Sequence, residues 1–556
     1  MRSMSVFDIE VLNWVKPIAV GFFDGKDYHE FIMENEEDDV VWRFLLFLGQ
    51  YEGTRIFAHN AANFDNKFIL DSLHKHGQGV RFAAGMGKLV WIQKDISFED
   101  SYLMMGRGLA KLCNIFDVDR KLDWDHNSTK NPWEMKSQLD SFRSYLKRDC
   151  LTLAQVLDSF ARRFIDAFGI IPSSTLSLTA VKAFDKKFCP VKQIESNEKF
   201  EKYIRSATYG GRNEVYKRYG ENLHLYDVRS MYTSCYDTDV PFGPMTWIKP
   251  NLDKGTIAEA KVKVPNALLI GPLPHRYNER LIFPTGEFQG WWDTRELKNA
   301  TKLGVDVSII RQLECEEAPL LSKFGSYVGE LRQNERESPL WKLFGVRLSG
   351  KFGQRRWRTE IKHISEVNDP TGWYPLDRGE EYHERVVYVS GNKSPYVKPA
   401  INMRIRSEAR IRHLDILLGA EDVYYCDNDS VNTTSELSLG NLPGDLQLVD
   451  EAVRAYFIRC KLYGYETLAG TFVQRSSGFR DFRLTEGDFI ELLNGKELTC
   501  HFTSPGDWKT ILRGKGVQLL DKHRSVKGYL DFENRISEGL VTRPIEIPKD
   551  LKGDIK

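Results

Sequence analysis

No apolar run in this 556-residue sequence approaches the roughly 18 residues needed to cross a bilayer, which argues against a membrane-embedded chain. The opening Met-Arg-Ser-Met-Ser lacks the apolar segment of a secretory leader, so the chain reads as entering its first strand directly. Cysteine is sparse: Cys113, Cys150, Cys189, Cys235, Cys315, Cys426, Cys460 and Cys500 are scattered, with no Cys-x-x-Cys. That spacing argues against a structural zinc site and a secreted disulfide framework, and favours a reducing, cytoplasmic setting. Charge of either sign is not in excess, since Lys plus Arg and Asp plus Glu are both 78. A simple basic DNA-coating protein is thereby disfavoured, but an enzyme whose acidic metal sites and basic grooves cancel is not. There is no internal repeat and no low-complexity tract. With 41% hydrophobic residues and 12% aromatics the chain is globular, and 556 residues exceed one core, so three or four domains are expected.

The periodicity divides the chain. Val6 to Val11 reads as a strand, residues 37–50 and 64–75 as helices, and 137–168 as a long helix. Its apolar stripe is Leu139, Phe142, Leu146, Leu153, Val156, Leu157 and Phe160. An α/β unit thus ends near 165, and the Ile-Pro-Ser-Ser-Thr stretch at 171–175 offers a cap for the next helix. Residues 326–348 read as one helix bearing Arg332, Arg336, Lys342 and Arg347. Strands are expected at about 357–396, then a helix with Ile401, Ile405 and Ala409 on one face. A basic stretch comes late in the chain: Lys509, Arg513, Lys515, Lys522, Arg524 and Lys527.

What is there, above all, is acid placed at strand ends. Asn222 to Asp227 alternates, putting Leu223, Leu225 and Asp227 on one strand face. Val423 to Cys426 reads as a second strand, running into Asp427-Asn428-Asp429, a hairpin-turn composition. Carboxylates at 227 and 429 could then meet across adjacent strands and hold a pair of magnesium ions, hard cations that take oxygen ligands. Phosphoryl transfer with two metals needs that arrangement. Either cluster alone fits a solvated turn equally well. A calcium loop is disfavoured because its Gly and distal Glu are missing. Nearer the N-terminus, Asp8 and Glu10 share one strand face, His59-Asn60-Ala61-Ala62-Asn63-Phe64-Asp65 leads into a helix, and Tyr145 and Asp149 share one face of the long helix. Four acids and a tyrosine from three segments suit two-metal hydrolysis.

Leu-Tyr-Asp-Val-Arg-Ser-Met-Tyr at 225–232 and Tyr-Cys-Asp-Asn-Asp-Ser at 425–430 resemble motifs A and C of family B DNA polymerases, above all the protein-primed subgroup from bacteriophages with small linear genomes. The resemblance implies Asp227 and Asp429 as principal metal ligands, with Asp427 nearby and the Val228 carbonyl assisting. It also implies Tyr232 as the steric gate against a ribose 2′-hydroxyl. Thr208-Tyr209-Gly210-Gly211 resembles the family's Gly-Gly element, so Thr208, Gly210 and Gly211 are expected to contact DNA. Lys461-Leu462-Tyr463 resembles the Lys-x-Tyr that steadies the primer end, implying Lys461 and Tyr463. The fingers motif is broken: Lys342 is kept for the triphosphate, with Arg332 and Arg336 as helpers, but Val346, Arg347 and Ser349 replace its Asn, Ser and Tyr. Reduced base discrimination is expected from Ser349. Further departures are Asn428 for Thr in motif C, and Met231 and Thr233 in motif A.

The N-terminal acids resemble the three motifs of the family's proofreading 3′–5′ exonuclease. By that resemblance Asp8, Glu10, Asp65 and Asp149 hold metal, Tyr145 orients the attacking water, and Asn60 and Phe64 contact the frayed strand. Ser101, in Asp-Ser-Tyr-Leu, and Lys121, in Lys-Leu-Asp-Trp, resemble further single-strand and support positions.

The implied architecture is α/β and α+β multidomain, a ribonuclease H-like 3′–5′ exonuclease domain followed by a right-hand palm, fingers and thumb. Its divisions are 1–170 exonuclease, 171–245 linker and first palm segment, 246–325 an insertion contacting terminal protein or DNA, 326–356 fingers, 357–396 a second insertion for processivity and strand displacement, 397–495 palm and 496–556 thumb. The implied function is template-directed, protein-primed DNA synthesis with proofreading, on a linear viral or plasmid genome. Expected cofactors are two Mg2+ ions per site, with Mn2+ as the alternative. Expected partners are DNA template and primer, deoxynucleoside triphosphates and a terminal protein, with no membrane, in a monomer of the cytoplasm (the host's, if viral). The short stretch before Asp8 leaves no room for a fused terminal protein. Two other readings use the same residues: an exonuclease whose polymerase half has decayed, and a DNA-binding replication scaffold.

Overall fold

The computed structural model describes residues 4–547 except 52, 80, 86–87, 94–95, 127–128, 136, 377–381, 390–393, 478, 480–481 and 529–533. Parts of the expected second insertion and of the thumb therefore lie outside the described residues. No described helix is long and apolar enough to cross a membrane, and all eight cysteines are unpaired.

The N-terminal unit is built on the strand Val6–Leu12, paired antiparallel with Lys16–Phe23 and parallel with Arg55–Ala58, which in turn runs parallel to Ser97–Asp100. Behind this sheet lies the helix Leu139–Phe168, within a residue or two of its expected span. Its buried stripe continues past Phe160 to Phe164 and Phe168, and Gly169, at φ 65°, ends it in the left-handed conformation that glycine adopts without penalty. Thr175 caps the next helix, Leu176–Lys187, by accepting the Leu178 amide at 3.3 Å.

The second major sheet has seven strands in the order Phe472–Ser476, Leu462–Thr467, Leu446–Arg459, Tyr219–Val228, Ser430–Thr433, Val423–Asp427 and Asn213–Val215. The alternation read at 222–227 belongs to the strand Tyr219–Val228, whose neighbours on both sides run antiparallel. This sheet carries the stretches expected to form the palm, and both acidic clusters sit at its strand ends.

One expectation of element layout is corrected. The helix expected over 326–348 is two helices, Ser322–Leu331 and Ser338–Phe352. Arg332–Glu337 separates them, and Pro339 stands in the first turn of the second, where its missing N–H costs nothing. Strands do form in the described part of 357–396, and one of them, Trp357–His363, pairs with Arg81–Gly85 and so extends the N-terminal sheet to ten strands among the described residues.

The insertion at 246–325 forms a five-stranded sheet whose fifth strand, Glu546–Ile547, arrives from the far end of the chain. On its way, Arg535 reaches the fully buried Glu214, and the Leu540 carbonyl accepts the Arg218 amide at 2.8 Å. The last described stretch of the expected thumb thus straps the palm to the insertion. One apolar core runs from the long N-terminal helix through Trp341, Phe344 and Leu348 of the fingers to Ile401 and Ile405 of the helix Pro399–Gly419. Trp508 and Ile511, from the basic stretch, pack into the core of the N-terminal unit, and Lys67 donates to the Gly506 carbonyl at 2.9 Å.

Candidate active sites

In the palm, strand register does the positioning. Ser430 pairs with Asp227, and the Val228 amide donates to the Asp429 carbonyl at 2.7 Å, so residues 227 and 429 adjoin across neighbouring strands. Asn428, at φ 52°, makes the turn in the left-handed region that asparagine tolerates. The Asp429 carboxyl is pushed up to about 7, first by burial and then by the charges of Asp227 and Asp427. Asp227 is raised by burial, against the pull of Lys342. Lys342, on the helix Ser338–Phe352, thus lies within electrostatic reach of both groups.

Asp427 is differently placed. Both its oxygens meet Lys461 Nζ, at 3.0 and 3.1 Å, and Oδ1 also accepts from Asn213 at 3.0 Å and from Asn428 at 2.9 Å. Its charge is therefore answered by protein donors. Asp227 accepts only a long 3.3 Å bond from Gln447 among the described side chains. Two under-answered carboxylates and one neutralised one suit oxygen-liganded divalent cations at 227 and 429.

The other expected residues of this site divide. Tyr232 is half-buried, and the Asp429 charge reaches its hydroxyl. Arg332 donates to the Ser230 hydroxyl beside Asp227. Arg336 instead pairs with Asp117 of the N-terminal unit at 3.0 Å, and the structure does not bring it to the carboxylates. Lys461 and Tyr463 line an open cavity of about 1060 Å³ together with Asp427, Arg475 and Ser477. Arg410 holds the Gly-Gly element by donating to the carbonyls of Tyr209, at 3.0 Å, and Gly210, at 3.1 Å. Its guanidinium is in turn fixed by buried Glu296 at 2.7 and 2.8 Å. Thr208 spends its hydroxyl on the Ile204 carbonyl, 2.7 Å away. Ser349 is buried, its amide donating to Tyr236 Oη at 3.3 Å and its carbonyl accepting from Asn402 at 2.8 Å.

In the N-terminal unit, side-chain packing assembles the site. Asp8, Glu10 and Asp149 each offer an oxygen within 4.8 Å of the others, the one such three-acid group among the described residues. Asp8 and Glu10 come from one strand and Asp149 from the long helix, whose Tyr145 is also buried. Asp65 opens the helix Asp65–Lys75 outside that group, its Oδ1 accepting the Ile9 amide at 3.1 Å. Burial, then the Asp149 charge, pushes Asp8 up to about 6, and burial followed by Asp8 raises both Glu10 and Asp65. Lys121 pairs with Asp149 and lies 5.6 Å from the Tyr145 ring centroid. Asp8 Oδ2 is buried with no hydrogen-bond donor. One lysine among four acids leaves excess negative charge, and the all-oxygen donor set fits hard divalent cations.

Phe64 immediately precedes Asp65 at the start of its helix, and Asn60, at φ 66°, lies four residues earlier. Ser101 has an interior place instead, donating to the Ala58 carbonyl at 3.2 Å with His59 Nδ1 3.0 Å away. Asn213 and Gln447, which address Asp427 and Asp227, are not visible in the sequence, because only long-range strand pairing brings them there. Also missed at that level are His126, 3.7 Å from Glu10, and Asp100, which accepts the amides of Ala62 and Tyr102. Asp100 is the first residue of the Asp-Ser-Tyr-Leu that contains Ser101, so that motif carried a signal for it.

Residues 121–392 match the sequence model of DNA polymerase type B, organellar and viral. A probable DNA polymerase of Neurospora intermedia is 25% identical over 513 residues, covering 76% of this chain and 52% of its own. One from Agaricus bitorquis is 22% identical, covering 85% of this chain and 71% of its own. The chain spans 52%, 35% and 37% of the first three curated relatives it matches. In fold it is similar to Phi29 DNA polymerase complexed with primer-template DNA and incoming nucleotide, with TM-score 0.72 at 18% identity, covering 94% of this chain and 99% of that one. The same polymerase complexed with single-stranded DNA matches at TM-score 0.71 and 16% identity. The expected architecture, a ribonuclease H-like domain before a right-hand polymerase, is borne out. Residues 121–392 are thus similar in sequence to the organellar and viral type B DNA polymerases, and nearly the whole chain is similar in fold to Phi29 DNA polymerase.

Proposed function

We propose that this protein is a template-directed DNA polymerase with a 3′–5′ proofreading exonuclease, primed by the hydroxyl of a terminal protein and copying a linear viral or plasmid genome. The observation that carries the reading is the adjoining pair Asp227 and Asp429, beside an Asp427 that Lys461 neutralises. Two divalent ions held there, with help from the Val228 carbonyl, would supply charge for activating a primer hydroxyl and holding the departing pyrophosphate. The chain's own groups do the rest. Lys342, with Arg332, draws the triphosphate as point charges beside the acids, Tyr232 closes the floor against a 2′-hydroxyl, and Lys461 and Tyr463 hold the primer end. The Gly-Gly element offers bare backbone to DNA phosphates. In the second site Asp8, Glu10, Asp65 and Asp149 hold metal, Lys121 anchors Asp149, and Tyr145 orients water at the scissile phosphate.

Support for DNA and nucleotide as partners comes from the chemistry of both sites and from the similar Phi29 enzyme, whose structure contains primer-template DNA and incoming nucleotide. Protein priming rests on the resemblance to that subgroup and on the placement of the 246–325 insertion. The deciding experiment gives the protein a primed template, Mg2+ or Mn2+ and nucleotides, then repeats it without nucleotides. Extension in the first and shortening in the second are expected. A primer left intact in both would end the reading, and shortening alone would leave only an exonuclease. Addition of a nucleotide to a terminal-protein hydroxyl, on a template without an oligonucleotide primer, tests the priming.

A further inference from the structure

The hairpin carrying Asp8 and Glu10 turns at Asn13 and Trp14, and the choice of tryptophan there serves neither turn nor core. The Val15 amide donates to the Leu12 carbonyl at 3.2 Å, with φ of 50° at Asn13 and 66° at Trp14. Tight hairpins want Asn or Gly in such positions, and a bulky side chain held at positive φ is strained. The indole recovers little by burial: it is 57% exposed and stands outside the apolar core that Leu12 and Phe64 join. A register shift between Glu10 and Val11 bends the strand just before the turn, the usual way a strand re-aims its next side chains.

The indole is aimed at Phe64. The two ring centroids are 6.2 Å apart with planes at 83°. Phe64 is backed by Phe68, 5.2 Å away, and immediately precedes Asp65. Two aromatic rings set at right angles thus stand on the segments that carry Glu10 and Asp65, one seated at the core's edge and one held out in solvent. Every nucleobase has a π-face, so such rings take unpaired bases of any identity.

We infer that Trp14 is a second stacking surface for the unpaired 3′ end of a DNA strand, working beside Phe64 to feed that end to Asp8, Glu10 and Asp149. The inference deepens the proofreading reading and rests on it.

Two variants of the full chain test it, Trp14→Gly and Trp14→Phe, with a labelled short oligothymidylate as probe in EDTA. Losing one base–aromatic stack is expected to weaken binding by about tenfold in Trp14→Gly, while Trp14→Phe stays near the parent. Glycine suits the positive φ, so Trp14→Gly is expected to melt no lower than the parent. With Mg2+, degradation of the same probe should show a raised KM at unchanged kcat. Unchanged affinity and KM in Trp14→Gly would overturn the inference. So would a fall in melting temperature together with kcat, the mark of a structural prop. A parent that binds the probe but never shortens it defeats the proofreading reading instead, and the EDTA comparison still decides Trp14.

Discussion

Asp8, Glu10 and Asp149 meet as side chains on a strand and a helix packed face to face, whereas Asp227 and Asp429 are brought together by backbone pairing between strands remote in the chain. The first arrangement is the drier one: Asp8 is half-buried, and the side chains of Glu10 and Asp149 are 8% and 3% exposed. The second opens onto a cavity, and its third acid, Asp427, is 25% exposed. Each site spends one lysine on one acid, Lys121 on Asp149 and Lys461 on Asp427, and leaves the others to be answered by cations. A metal-binding charge excess can thus be built from core packing or from strand register, and the two should fail in different ways.

The sharpest way to separate them is reciprocal loss. Asp429→Ala is expected to lower primer extension by at least about 10²–10³-fold while sparing shortening, and Asp8→Ala to do the reverse, by analogy with removing one preorganised electrostatic group. Gel assays of both reactions on one primed template measure this. A variant that damages both reactions equally would mean the sites are not independent. Next come the lysines. Lys121→Met leaves Asp149 buried without its partner and should cost exonuclease rate about 10–100-fold, the range for groups that orient metal ligands. Lys461→Met bares a partly solvated acid and should cost extension less. Equal losses would break the comparison.

Proton linkage gives a smaller effect with a definite sign. In metal-free protein, burial and neighbouring acids push Asp8 up to about 6 and Asp429 up to about 7. An acid raised in the folded state costs stability when ionised. That cost is absent below the ordinary carboxylate value of about 4 and complete above the folded value. The parent should therefore lose melting temperature relative to Asp8→Asn between about pH 4 and about 6, and relative to Asp429→Asn between about pH 4 and about 7. Added Mg2+ should reverse both differences. Parent and variants that track one another across this range would show that the acids are not desolvated as described.

Much of this was legible in the residues because the signals are local. Alternation at Asn222–Asp227, the stripe of the long helix and the spacing of Tyr145 and Asp149 each lie within a few turns of chain. The break between the two fingers helices was also written locally, in Ser338-Pro339, and went unread because apolar periodicity carries across it. What could not be read was long-range pairing. Nothing in the sequence at 357–363 says that it joins the N-terminal sheet, nor that Glu546–Ile547 completes the insertion's sheet. The same holds for Asn213 and Gln447 at the palm carboxylates, and for Arg336, whose charge suited a triphosphate but whose helix start faces Asp117. The buried setting of Ser349, under Tyr236 and Asn402, likewise depends on segments far away in the chain.

One departure from the family pattern makes physical sense only with the fold in view, and it supplies the finest test of the palm site. Asn428 stands where the family's motif C pattern has Thr, and the backbone there sits at φ 52°, a region asparagine tolerates and a β-branched residue resists. The Asn428 side chain donates to Asp427 and lies against Gly211, where a Cβ would fall 2.0 Å from its Oδ1. Gly211→Ala should therefore displace Asn428, loosen Asp427 and slow extension about fivefold, overpacking of this kind costing about 1–3 kcal/mol. Exonuclease rate should not move, since none of these groups reaches Asp8 or Asp149. In Gly211→Ala with Asn428→Gly, the clash is gone and glycine accepts the turn, so extension should recover beyond the product of the single effects. A coupling energy within the usual range of about 0.5–3 kcal/mol for contacting residues would fix the Gly-Gly element as a support of the palm acids. Additive losses would mean that Gly211 serves some other contact, and that strand register alone holds Asp227 and Asp429 together.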